Sequence, residues 1–251
     1  MTEQLPTPVN PQSTSTVLSD TAKALAEALT GIAASSRREL ALSIGYIFQR
    51  LRGGEFLATV SREWERYREK GRIKPDYDQT EQHKVCLQEL LDFLDKDSPD
   101  AIRFDALKKI FLVAATENIE PRESLLPQQY MRVARTLTDG ELLVLFACYR
   151  IYKDDRNTSW KQEQIHSAGD WLESVAAQSG LRFPELVEFH EQGLEAKRLI
   201  SSRLHSDRSG VKVKPAYRLT KLGVGLCEFI AAYDGDTQQP LAGDAPQAAR
   251  P

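Results

Sequence analysis

The chain has 251 residues, 41% of them apolar and 27% charged, with 33 Lys and Arg against 36 Asp and Glu. That is enough apolar material for one large domain or two small ones, and the formal net charge of −3 excludes a globally basic, histone-like nucleic-acid binder. Only 14 Gly and 12 Pro stand among abundant Ala, Leu, Glu and Arg, which excludes a coil-like chain and favours helix.

Residues 1–17 set Pro6, Pro8 and Pro11 among Ser, Thr and Gln, a composition that does not repay the entropy of ordering. Residues 234–251 share it, and both are predicted to be disordered tails. The first twenty residues hold no Lys or Arg and no continuous apolar core, so they read as neither a secretory signal nor a transit peptide. No run approaches the roughly 18 apolar residues that span a bilayer. A cytoplasmic protein without a membrane partner is expected. Cys86, Cys148 and Cys227 are odd in number and widely spaced, which predicts buried free thiols instead of a disulfide framework or a zinc knuckle.

A helical leader domain is predicted over residues 18–125. Ala22, Leu25, Ala26, Leu29, Ile32 and Ala33 recur at steps of three and four, and Leu40, Ile44, Ile47, Phe48 and Leu51 follow the same period. Gly53-Gly54 is expected to interrupt this second helix. Phe56, Val60, Trp64 and Tyr67 mark the next, with Gly71 placed to end it. A further helix covers Val85, Leu87, Leu90, Leu91 and Leu94. Ser98-Pro99-Asp100 then gives an N-cap, a first-turn proline and a first-turn acid, opening a helix through Phe104, Leu107, Ile110, Phe111 and Ala114. Pro121 and Pro127 are read as marking a connection.

A second domain is predicted over residues 126–233. Thr138-Asp139-Gly140-Glu141 is a capping box ahead of Leu142, Leu143, Leu145, Phe146 and Tyr149. After a polar break at residues 154–159, one helix holds Trp171, Leu172 and Val175. Another is opened by Pro184 and holds Leu186, Val187, Phe189, His190, Leu194 and Leu199. The period then becomes alternating at Val211-Lys212-Val213-Lys214 and Tyr217-Arg218-Leu219, the mark of a half-buried strand, with residues 200–204 as its hairpin partner. Thr220 caps a last helix. The expected fold class is therefore mainly α, a helical N-terminal leader plus a C-terminal winged helix with a two-stranded β-hairpin.

The order of residues 138–233, above all Lys197-Arg198-Leu199-Ile200 and Tyr217-Arg218-Leu219-Thr220-Lys221-Leu222-Gly223, resembles the winged-helix superfamily. More loosely, Ala106-Leu107-Lys108-Lys109-Ile110-Phe111-Leu112-Val113-Ala114-Ala115, Leu126-Pro127 and Arg135-Thr136-Leu137-Thr138 are similar to the layout of the bacterial abortive-infection alpha family. That likeness covers about residues 80–233 and rests on pattern, not on a diagnostic motif. It implies a bacterial protein linked to phage exclusion or mobile elements.

A winged helix commonly reads DNA with its third helix in the major groove, so local charge separates the functional readings. Residues 198–221 carry seven cations, Arg198, Arg203, Arg208, Lys212, Lys214, Arg218 and Lys221, against Asp207. Such a hairpin suits phosphates. The preceding helix carries Glu185, Glu188, Glu191 and Glu195 at steps of three, three and four. An acidic stripe of this kind is repelled by a groove walled with phosphates and is a poor reading head. The favoured expectation is a non-enzymatic regulator or adaptor whose protein partner engages those four glutamates. The alternative is a DNA-binding regulator contacting phosphates through Arg203, Arg208, Lys212, Lys214, Arg218 and Lys221.

The remaining features carry bland readings. Arg50, Arg52, Arg62, Arg66, Arg68, Lys70, Arg72 and Lys74 surround Trp64 and Tyr67. Stacking on single-stranded bases is one use of such a set; a charged solvent face with both aromatics turned inward is preferred, and a homo-oligomer paired through the leader is a third reading. His83, His166, His190 and His205 show no metal-ligand spacing, and no nucleophile or phosphate-binding motif opens a helix. Asp92, Asp95, Asp97 and Asp100 read as helix-start electrostatics. No cofactor, no metal and no catalytic residue is expected.

Overall fold

Apolar residues recurring every three or four positions become helices along this chain, as their period dictates. The computed structural model describes residues 51–96, 100–116, 125–157, 168–202, 206–207, 210–211 and 218–233. Both tails and the helices expected upstream of residue 51 lie outside them. Among the described residues there are eight α-helices: α1 (Leu51–Glu69), α2 (Glu81–Lys96), α3 (Ala101–Thr116), α4 (Leu126–Thr136), α5 (Asp139–Asn157), α6 (Ala168–Ser179), α7 (Pro184–Ala196) and α8 (Lys221–Ala231).

Helix ends follow local chemistry. The capping box at the start of α5 is formed in full, with the Glu141 N–H donating to Thr138 Oγ1 at 3.2 Å and the Thr138 N–H to Glu141 Oε2 at 2.7 Å. Thr220 Oγ1 accepts from the Gly223 N–H at 3.1 Å and caps α8. Gly71 leaves α1 at φ 64°, and the Arg72 N–H returns to the Tyr67 carbonyl at 2.9 Å. Three expectations are corrected here. Gly53-Gly54 does not interrupt the helix at that point, because both residues lie within α1 as described from Leu51. The cap of α3 is Asp100, whose Oδ1 accepts from the Arg103 N–H at 2.7 Å; Ser98 and Pro99 are outside the described residues. Pro127 opens α4 instead of marking a connection, because a first-turn proline forfeits no intrahelical bond.

The second half of helix α3, from Ile110 to Ala115, is apolar on every side and wholly buried, and Phe104 and Leu107 of its first half are buried with it, the pattern of a central helix. It packs against α1, α2, α4, α5 and α8. One cluster of buried apolar residues runs from Leu57 in α1 to Ile230 in α8 and crosses residue 125, the expected domain boundary. Helices α5, α6 and α7 pack on one another at its edge.

Among the described residues the expected winged-helix hairpin is not seen. Of the strands expected over residues 200–204 and 211–219, the described residues show one isolated bridge, Ile200 to Leu219, and a two-residue pairing of Ser206–Asp207 with Gly210–Val211, while residues 203–205 and 212–217 lie outside them. Arg218 is helical, not extended. The reason lies in its side chain. Alternation assigned Arg218 to solvent and Leu219 to the core, but both are buried, so the period of two fails at that point.

Candidate functional site

Helix α7 begins at Pro184, preceded by Phe183 in the N-cap position with extended backbone and no side-chain cap bond. A polar residue there would stabilise the helix start by about 1 kcal/mol, so the aromatic is not placed for local stability. Two glycines let the inner side of α7 approach α5 closely. A Cβ on Gly193 would overlap the Glu141 carboxylate, and one on Gly140 the His190 ring. Lys197 Nζ reaches Glu141 Oε1 at 2.5 Å, so the capping glutamate of α5 also holds the far end of α7.

The buried side of α7 carries Val187, Glu191 and Leu194. Glu191, 2% exposed, accepts from Trp171 Nε1 of α6 at 2.6 Å and lies 2.8 Å from Arg218 Nη2. Arg218, also 2% exposed, donates through Nη1 to the Ser201 carbonyl at 2.5 Å and to Glu195 Oε1 at 3.2 Å. Its guanidinium carbon stands 5.8 Å from the centre of the Trp171 ring. Its Nε and Nη2 have no hydrogen-bond acceptor among the described residues, so the Glu191 contact is an ion pair without hydrogen-bond geometry.

This arrangement divides both predicted sets. Glu191 is inside and Glu195 half-buried, leaving Glu185 and Glu188 exposed; the acidic stripe is two surface residues long. Arg218 is spent on the glutamates and is not available to a phosphate. Lys221 is exposed. Arg203, Arg208, Lys212 and Lys214 fall outside the described residues.

The outer side of the first two turns of α7 is apolar where the sequence predicts core. Phe189 is 67% exposed, Phe183 53% and Leu186 42%, with Glu185 and Glu188 beside them. Arg182 lies over the Phe183 ring, 5.4 Å from its centre, and Phe189 meets His190 edge-on. The signal was present in the sequence. Leu186 and Val187 are neighbours about 100° apart on a helix, and Phe189 lies beyond the reach of the Val187–Leu194 side, so one buried face does not hold them all.

Elsewhere, several side chains with reactive or cationic groups are absorbed by packing, while Arg62, Arg66, Arg68 and Lys70 are exposed. Trp64 and Tyr67 point inward, and Tyr67 stacks on Tyr233. Lys108 pairs with Glu63 at 2.8 Å, and the Tyr233 hydroxyl donates to the same carboxylate. His83 is buried against Trp64, Tyr77 and Phe111. Asp92 accepts from Gln88 at 2.7 Å. The three cysteines are buried and none is in a disulfide. Burial, reinforced by Glu89, pushes the Cys86 thiol up to about 12, and burial likewise raises Cys227, so neither is a thiolate near neutrality. No helix among the described residues is long and apolar enough to cross a membrane. No protein-family model, no curated protein and no solved structure matches the chain.

Proposed function

We propose that this chain is a non-enzymatic adaptor or regulator that binds a protein partner through the outer face of the first half of α7. The observation that carries this reading is the exposure of Phe183, Leu186 and Phe189 together on a helix whose inner face is fixed by Glu191, Trp171, Arg218 and the glycine contacts with α5. Aromatic side chains are the usual anchors of protein interfaces, and fully burying one Phe or Leu is worth roughly 1.5–3 kcal/mol. The abortive-infection likeness makes phage exclusion the setting of this proposal. In the duplex alternative, Arg203, Arg208, Lys212, Lys214 and Lys221 would hold phosphates without Arg218, and Glu185 and Glu188 would repel the same backbone.

The test compares the native chain with Phe189→Ser and Phe183→Ser, using nuclease-treated affinity capture alongside duplex DNA binding at two salt concentrations. The expected outcome is a specific protein retained by the native chain and lost from both variants at unchanged thermal stability. Salt-sensitive duplex binding that is the same for all three chains, with no protein lost, would overturn the proposal.

A further inference from the structure

Arg218 is 2% exposed and carries its charge to the junction of α6 and α7. Its Nη1 is spent on the Ser201 carbonyl at 2.5 Å and on Glu195 Oε1 at 3.2 Å. Nε and Nη2 are shut off from bulk solvent and have no hydrogen-bond acceptor among the described residues, although Glu191 Oε1 lies 2.8 Å from Nη2. These two nitrogens share one edge of the guanidinium plane, where their N–H groups run parallel and can close together on one oxygen. Buried donors are nearly always matched in native interiors, and a charged donor costs more to leave unmatched than a neutral one.

The charges around the edge select the class of acceptor. Glu191 and Glu195 already set two carboxylates against one guanidinium, so a third anion would be repelled, while a cation has nothing to receive from two N–H donors. An uncharged oxygen is left, and the burial of Arg218 requires it to be small. We infer that the Nε–Nη2 edge of Arg218 binds a single internal water, which accepts from both N–H groups and donates to the Glu191 carboxylate. Three hydrogen bonds are the usual complement of a buried water. The same water accounts for an ion pair at 2.8 Å that lacks hydrogen-bond geometry. The N–H of Nη2 is directed to the water, and Glu191 Oε1, which accepts from Trp171 Nε1 at 2.6 Å, receives the guanidinium through it.

The experiment uses the full chain, isotope-labelled at arginine, and water itself as the probe. The Arg218 Nε–H resonance is assigned by its contact with the Trp171 ring, whose centre is 5.8 Å from the guanidinium carbon, and by its loss in Arg218→Lys. Should that variant fail to fold, the Trp171 contact alone makes the assignment. In rotating-frame NOE spectra the resonance is expected to show a cross-peak to water with the sign of dipolar contact, and to keep its position when acetate or phosphate replaces chloride at equal ionic strength. A slowly exchanging Arg218 Nε–H with no cross-peak to water overturns the inference. So does a cross-peak with the sign of chemical exchange, which places bulk solvent at the edge, and so does a shift with acetate or phosphate, which places an anion there.

Discussion

The buried Arg218 shows how one side chain redirects a segment. Its charge sits among Glu191, Glu195, Trp171 and the Ser201 carbonyl with almost no contact with water. Removing one partner of such a pair leaves an uncompensated charge in a poor solvent for it. Arg218→Met is therefore expected to lower stability by about 3–5 kcal/mol, measured by urea unfolding. Adding Glu191→Gln, which keeps an acceptor for Trp171 Nε1 while removing the stranded charge, should recover more than half of that loss. A loss under about 1 kcal/mol for Arg218→Met would show that the ion pair does not hold the segment. The sequence displays this arginine as one of seven cations in an alternating stretch, and nothing in the spacing distinguishes it from the others. Only the convergence of α6 and α7 supplies the carboxylate and the ring that draw it inward.

At the level of elements, helix starts are legible and helix surroundings are not. Thr138, Glu141 and Thr220 cap their helices because a cap is a contact within four residues. The paired glycines of α8 carry no such local meaning. Gly223 faces the Leu199 carbonyl, which an added Cβ would overlap, and Gly225 faces the Tyr130 hydroxyl. The Leu199 carbonyl already accepts from the Thr220 N–H at 3.1 Å, so it is not free to retreat. Gly223→Ala should cost about 1–3 kcal/mol through overpacking, despite alanine's better helix propensity. Thermal unfolding that shows a stabilised Gly223→Ala variant would contradict this close approach. Helix α7 makes the converse point. Its acids form one stripe in the sequence, yet one side of the helix is claimed by α5 and α6 and the other is left to solvent.

Across the whole molecule, carboxylates tie together helices that are far apart in sequence. Glu89 of α2 receives Arg132 Nε and Arg135 Nη1 of α4, each at 2.7 Å. Burial raises the pKa of this carboxyl, but hydrogen bonds from Arg132 and Arg135 outweigh it and hold the value below its ordinary 4.5. A carboxylate with a lowered folded-state pKa contributes stability above its unfolded value, and that contribution fades as pH falls through the folded value. The native chain is thus expected to lose stability below about pH 4.5 more steeply than Glu89→Gln, which carries no charge to lose. Urea midpoints measured from neutral pH downward check this; parallel curves would remove Glu89 from the acid response. Glu63 plays a similar part, joining α1 to Lys108 of α3 and to Tyr233 just beyond α8.

Period, caps and hydrophobicity are enough to make the described chain mainly helical, to start most of its helices, and to put Trp64, Trp171 and the cysteines inside. All three act within a turn or two. Packing between distant segments is what makes residue 127 open a helix set on α2 and α3, pairs Arg218 with Glu191 in the interior, and leaves Phe183, Leu186 and Phe189 facing water. Burial is set by which neighbours arrive from distant parts of the chain, and an apolar helix offers more faces than its neighbours cover.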